Sequence, residues 1–248
     1  MKKKESIMRN GRSLFLAYDH GMEHGTADFN DQSIDPEKIL RIADSGYFTG
    51  IVLQKGIAEK YYQPGDYKVP LIVKLNGKTN FLKNEEPYSA QLCRVQEAIQ
   101  LGAVAVGYTI YVGSQYEGKM MKEFSKIEQE ADEAGIAAIG WMYPRGKVVA
   151  GKEESKEVLS YAARLGLEMG AEMIKLPYGN KENFSWAVKA AGRTKVLVQG
   201  GQKTSNKLFF QMIRDALAVG AIGVAVGRNV WQAENPLAIA KKLYEIIF

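Results

Sequence analysis

Tyr161-Ala162-Ala163-Arg164-Leu165-Gly166-Leu167-Glu168-Met169-Gly170-Ala171-Glu172-Met173-Ile174-Lys175-Leu176-Pro177 reads as the end of a helix, a turn and a strand. Gly170 closes the helical run where a left-handed cap is needed, a conformation glycine adopts without steric penalty. The strand after it, Glu172–Leu176, is apolar on both faces apart from Glu172 at its start and one lysine. That is the pattern of a parallel strand covered by helices outside and packed within. Similar runs occur at Ser13–Tyr18, Gly50–Gln54, Pro70–Leu75, Val104–Thr109, Ala137–Tyr143, Lys195–Gln199 and Ile222–Val226.

Helical segments separate these runs, and their ends are legible. Asp35-Pro36 and Asn235-Pro236 each pair an N-cap with proline at the first helical position, and Ser89 and Ser205 read as further N-caps. Gly46, Gly102, Gly135, Gly192 and Gly220 repeat the role of Gly170. Eight strands alternating with helices predict a single (β/α)8 TIM barrel, with residues 1–248 as one domain. An open doubly wound sheet is the competing architecture. After the first run, however, the chain reads Asp19-His20-Gly21-Met22-Glu23-His24-Gly25, without the G-x-G-x-x-G such sheets use for dinucleotides.

Composition narrows the function. The chain has 248 residues, is 46% hydrophobic and carries a net charge of +5, which excludes a disordered protein. No apolar stretch approaches the roughly 18 residues of a membrane span. The basic start, Lys2-Lys3-Lys4, lacks the apolar core of a signal peptide. The basic residues are otherwise scattered, so no nucleic-acid-binding face is expected. A single cysteine, Cys93, cannot form an internal disulfide and fits a reducing, cytoplasmic location.

A barrel places its chemistry at the carboxyl ends of its strands. Those ends carry Asp19-His20, Gln54-Lys55, Lys74, Trp141 with Tyr143 and Arg145, Lys175, Gln199-Gly200-Gly201 and Gly227-Arg228. Period-two alternation puts Lys175 on the face opposite Ile174 and Leu176. If those two pack beneath helices, the lysine points into the barrel mouth, where desolvation would leave a neutral amine able to attack a carbonyl. A lysine paired with a buried carboxylate is the other reading. Lys55 and Lys74 are rival lysines. Tyr143 and Asp19 are candidate proton-transfer groups, the tyrosine with its pKa lowered by a neighbouring lysine. The Gly200-Gly201 and Gly227-Arg228 pairs follow the last two strands, where barrels bind phosphate. His20 and His24 fall in an H-x-x-E-H string, but Gly21 and Gly25 argue for a loop there and against a zinc site.

The ordered strings Leu16-Ala17-Tyr18-Asp19-His20-Gly21, Glu23-His24-Gly25, Gly56–Tyr62, Lys74–Thr79, Gly107–Tyr111, Tyr143-Pro144-Arg145-Gly146 and Val226–Trp231 resemble the archaeal-type class I fructose-1,6-bisphosphate aldolases, the DhnA-type branch of the DeoC/FbaB-like aldolases. The resemblance spans roughly Leu16 to Trp231. It implies a Schiff-base lysine at Lys175, a proton-shuttling tyrosine at Tyr143, and catalytic roles for Asp19 and Trp141. It also implies substrate contacts from His20, His24, Gln54, Arg145, Gln199, Gly200, Gly201, Gly227 and Arg228, with neither metal nor cofactor. The partners implied are phosphorylated sugars and further copies of the chain in a homo-oligomer. A related synthase, which makes 2-amino-3,7-dideoxy-D-threo-hept-6-ulosonate, shares the lysine and the Tyr-Pro-Arg-Gly string but usually lacks the Glu23-His24-Gly25 string. A non-catalytic phosphosugar-binding barrel and a metal-dependent lyase using His20 and His24 are readings from other classes.

Overall fold

The computed structural model describes residues 5–82 and 84–248; the Lys2–Lys4 cluster lies outside them. Eight parallel strands close on themselves: β1 (Ser13–Tyr18), β2 (Gly50–Gln54), β3 (Leu71–Lys74), β4 (Ala105–Val112), β5 (Ala137–Pro144), β6 (Met173–Leu176), β7 (Lys195–Gln199) and β8 (Gly223–Val226). Each pairs with its sequence neighbours, and β1 pairs with β8 to shut the ring. All eight expected runs are strands, the fourth extending to Val112 because its whole length pairs with β5.

The long helices α2 (Pro36–Ala43), α3 (Lys55–Tyr61), α5 (Glu117–Glu133), α6 (Lys156–Glu168), α7 (Lys181–Ala190), α8 (Asn206–Ala218) and α10 (Pro236–Ile247) connect the strands, with the short α4 (Val95–Gln100) between β3 and β4. The Asp35, Ser205 and Asn235 side chains accept the first-turn N–H groups of their helices, and the six expected glycine caps all have positive φ. Ser89 does not cap a helix. α4 starts at Val95, where the Glu97 carboxylate accepts the Arg94 N–H, and the Ser89 carbonyl instead accepts a hydrogen bond from Asn76 Nδ2. Gly21–His24, expected as a loop, forms one helical turn, α1, because the His24 and Gly25 N–H groups reach back to the His20 and Gly21 carbonyls. Another short turn, α9 (Arg228–Trp231), follows β8.

Ile174 faces α6, where a Cβ added at Gly166 would meet its Cγ2 at 2.4 Å. Lys175 is thereby turned inward, as the alternation predicted. Cys93 is buried, and burial pushes its thiol up to about 11, so it behaves as a small apolar side chain. Among the described residues, no helix is long and apolar enough to cross a membrane.

Gly107 on β4 makes room for the ring of Trp141 on β5: a Cβ there would lie 2.0 Å from Cζ3. Gly107→Ala therefore overpacks the barrel. We expect it to lower stability by about 2 kcal/mol and the melting temperature by roughly 4–8 °C, measured by calorimetry.

Candidate active site

A cavity opens at the carboxyl end of the barrel. Lys175 is 5% exposed, and its Nζ lies 5.3 Å from the centre of the Trp141 ring and 5.7 Å from that of Tyr143. Asp19 enters from the end of β1 and Lys74 from β3, with Lys74 Nζ 3.9 Å from Asp19 Oδ2 and 3.5 Å from Glu23 Oε1. The second Glu23 oxygen accepts a hydrogen bond from Tyr111 Oη at 3.0 Å. His20 stacks on Trp231 with ring centres 5.2 Å apart, and Trp231 Nε1 donates to the Ala17 carbonyl at 3.1 Å. Two nitrogens of cavity-lining residues, His20 Nε2 and Trp141 Nε1, are buried with no hydrogen-bond partner among the described residues.

Burial governs the protonation of these groups. It pulls the Lys175 amine down to about 8; Asp19 opposes that pull, Lys74 adds to it and Glu23 opposes it. Burial also drives the Asp19 carboxyl up, but His20, Lys74 and Lys175 outweigh it and hold the group ionised, below the usual carboxylate range. Tyr143 departs from expectation: burial, then the negative charges of Asp19 and Glu23, raise it well above an ordinary phenol. Lysine proximity does not lower it, because the nearby carboxylates and the loss of water act more strongly. Tyr143 therefore rests as a proton donor.

The β7 and β8 ends form the other wall. Gly200, Gly201, Gly227 and Arg228 all line the cavity. The Gly200 N–H is engaged by the Ala225 carbonyl, so this amide is not free for an anion. Gly227 is demanded by close approach, since a Cβ would lie 2.9 Å from the Ala17 carbonyl oxygen. Asn229 Nδ2 donates to the carbonyls of Gly200 and Gln202, both at 2.9 Å, and its Oδ1 accepts the Thr204 N–H. One buried amide thus fastens the β7 loop to the β8 loop.

The sequence profile of the DeoC/LacD family aldolases matches residues 13–233. The chain belongs to the DeoC/LacD aldolase family. The class 1 fructose-bisphosphate aldolase of Thermoproteus tenax is 50% identical over 244 residues, 97% of this chain and 91% of the relative. A solved archaeal fructose-1,6-bisphosphate aldolase, its catalytic lysine bound to the carbinolamine intermediate of the substrate, is 49% identical with a TM-score of 0.92. The match covers 99% of this chain and 98% of that one. The 2-amino-3,7-dideoxy-D-threo-hept-6-ulosonate synthase 1 of Archaeoglobus fulgidus is 32% identical over 249 residues, 99% of this chain and 90% of the relative.

In this aldolase-family chain the cavity brings together Asp19, His20, His24, Trp141, Tyr143, Arg145, Lys175, Gln199, Gly200, Gly201, Gly227 and Arg228. Gln54, expected at the substrate, does not line it: its amide donates to the Asp19 and Asn76 carbonyls at 3.2 and 3.1 Å and braces the loop beneath. Lys55 points outward to Glu97. The sequence assigns nothing to Glu23 and Asn229, and it offers Lys74 only as a rival to Lys175. For Lys74 the signal was present, because a lysine between Val73 and Leu75 breaks an apolar run just as Lys175 does. The H-x-x-E-H string divides: Glu23 faces Lys74 and Tyr111, while Asp28 joins His20 and His24 with one donor atom of each within 4.8 Å. These three could hold a metal ion, although the Arg228 guanidinium lies 3.3 Å from Asp28.

Asn229→Ala removes the tie between the two loops and three hydrogen bonds of about 1 kcal/mol each. We expect inorganic phosphate binding to weaken about tenfold or more, with little change in the circular dichroism spectrum, as measured by titration calorimetry.

Proposed function

We propose that this chain is a metal-independent class I aldolase that reversibly cleaves fructose 1,6-bisphosphate to dihydroxyacetone phosphate and glyceraldehyde 3-phosphate, a step of glycolysis and gluconeogenesis. The observation that carries the reading is a buried lysine amine, pulled down to about 8, facing a protonated tyrosine in a cavity walled by the glycine loops. At pH 7 such an amine is roughly one-tenth unprotonated, some three-hundredfold more than an ordinary lysine. The 50% identity to a class 1 fructose-bisphosphate aldolase, against 32% to a heptulosonate synthase, favours the bisphosphate sugar as substrate.

In the proposed cycle the free Lys175 amine attacks the C2 ketone and forms a carbinolamine. The Tyr143 phenol gives its proton to the departing hydroxyl; water leaves, and a C2 iminium stands beside a tyrosinate. The tyrosinate takes the C4 hydroxyl proton. The C3–C4 bond breaks, its electron pair flows into the iminium, and glyceraldehyde 3-phosphate departs from a neutral enamine. Tyr143 then returns the proton to C3, and water releases dihydroxyacetone phosphate. Ionised Asp19 orients the lysine and the hydroxyl groups around it. His20 Nε2 and Trp141 Nε1, free of protein partners, are available to the sugar oxygens. The Gly201 and Gly227 backbone, Arg228 and His24 hold the C1 phosphate, with Gln199 beside them. Arg145, exposed at the mouth, is the group for the distal phosphate. A cytoplasmic location and a homo-oligomeric state complete the reading, the first resting on buried, reduced Cys93 and the second on the family resemblance.

The test is incubation with dihydroxyacetone phosphate and EDTA, followed by borohydride reduction and peptide mapping. A stable adduct on Lys175 is expected, and Lys175→Met should abolish both adduct and cleavage. An adduct on Lys74 would move the nucleophile. Absence of any adduct, with cleavage lost to EDTA, would transfer the chemistry to His20 and His24. Two kinetic expectations accompany it. Tyr143→Phe should lower kcat by about 10²- to 10⁴-fold and slow borohydride trapping as well, because the reducible iminium forms only after the phenol gives up its proton. Because only the neutral amine attacks, kcat/KM should climb as pH rises through about 8 and level off above it.

A further inference from the structure

Lys74 and Glu23 have no task in the cycle above, yet both side chains are almost fully buried, at 2% and 6% exposure. A buried ion pair seldom repays its desolvation, so its presence in a reactive cavity calls for another explanation. Lys74 Nζ lies between two carboxylates, 3.5 Å from Glu23 and 3.9 Å from Asp19, and 5.7 Å from the centre of the Trp141 ring that Lys175 also approaches. Glu23 is held from its other side by Tyr111 Oη. The groups facing Lys175 are therefore Asp19, Glu23 and Lys74, with Tyr111 and Tyr143 as uncharged phenols and Arg145 exposed at the rim. With Lys175 neutral, the buried set carries two negative charges and one positive.

Building on the Schiff-base reading, we infer that Lys74 and Glu23 are positioning residues that set the charge facing Lys175. Lys74 disfavours protonation of the resting amine, while Glu23 leaves one unmatched negative charge for the iminium that forms there. Neither suffices alone. Without Lys74, two uncompensated carboxylates would keep Lys175 as an ammonium. Without Glu23, Lys74 would cancel Asp19, and the iminium would form with no net counter-charge. The directions agree with this geometry: Lys74 pulls the Lys175 amine down, and Glu23 pushes it up.

The two substitutions must therefore act with opposite sign. Competitive acetylation of the resting protein across pH, mapped by mass spectrometry, reads the Lys175 midpoint without any substrate. Lys74→Met should raise that midpoint by about one unit or more, and Glu23→Gln should lower it by a similar amount. The double variant should return to within about half a unit of wild type. The acid limb of kcat/KM should move with the midpoint, so that below the limb Lys74→Met loses about tenfold per unit and regains it at higher pH. Lys74→Arg, which keeps the charge, should leave the midpoint in place. Shifts of the same sign, or none, in variants with native circular dichroism would overturn the inference. If Lys74→Met does not fold, the downward shift in Glu23→Gln and the unmoved midpoint in Lys74→Arg decide it. Failure of wild type to form a reducible adduct on Lys175 would instead count against the aldolase reading, and the acetylation midpoints would still report the charge balance.

Discussion

Loss of water at the carboxyl end of the barrel underlies the chemistry of this protein. The strands are apolar on both faces, so the few polar groups their ends deliver sit in a medium that penalises charge. The same penalty acts in opposite senses on its two main subjects. It loosens the proton on Lys175 and tightens the one on Tyr143. In the proposed cycle these become the nucleophile and the proton donor, set side by side near neutral pH. Asp19, Glu23 and Lys74 limit the penalty, because a wholly uncompensated set of charges would not stay folded around the cavity.

The opposite wall is built on different terms. A Cβ on Gly200 or Gly227 would meet neighbouring backbone at 3.0 or 2.9 Å, and Asn229 joins two loops through their carbonyls. Geometry there is held by packing and neutral hydrogen bonds, which ionisation hardly affects. A phosphate anchored on such a wall would place a sugar carbon against Lys175 whatever the charge state of the lysine, separating the fixing of the substrate from the timing of proton transfer.

Much of this was legible in the chain. Strand periodicity, glycine caps and Asx-Pro helix starts are local signals, and they yield the barrel with its inward-facing Lys175. The resemblance added the roles of Tyr143, Asp19 and Trp141. The misreadings share a cause, since each turned on contacts between distant segments. Gln54 looks like a strand-end ligand until the Asp19 and Asn76 carbonyls are seen to occupy its amide. Tyr143 looks acidified until its burial, and the two carboxylates Asp19 and Glu23 beside it, are counted. The Gly21–His24 turn was hidden by glycines that usually interrupt helices, and Ser89 by a run of loop long enough to separate it from α4. Lys74 and Glu23, distant in sequence, reveal their relation only when the ring closes.

The seam between β1 and β8 adds a consequence for how the protein comes into being. Trp231 is bonded to the Ala17 carbonyl, Arg228 reaches Asp28, and Gln232 bonds the carbonyl of that aspartate. Every one of these contacts joins the opening stretch of the chain to its final fifth. A polypeptide emerging from the ribosome would carry Asp19, Lys74, Tyr143 and Lys175 well before it possessed the wall that β7 and β8 raise opposite them. The Lys175 amine thus lacks its facing wall until β8 and the turn after it have been made, and the pocket forms in the same event that seals the barrel.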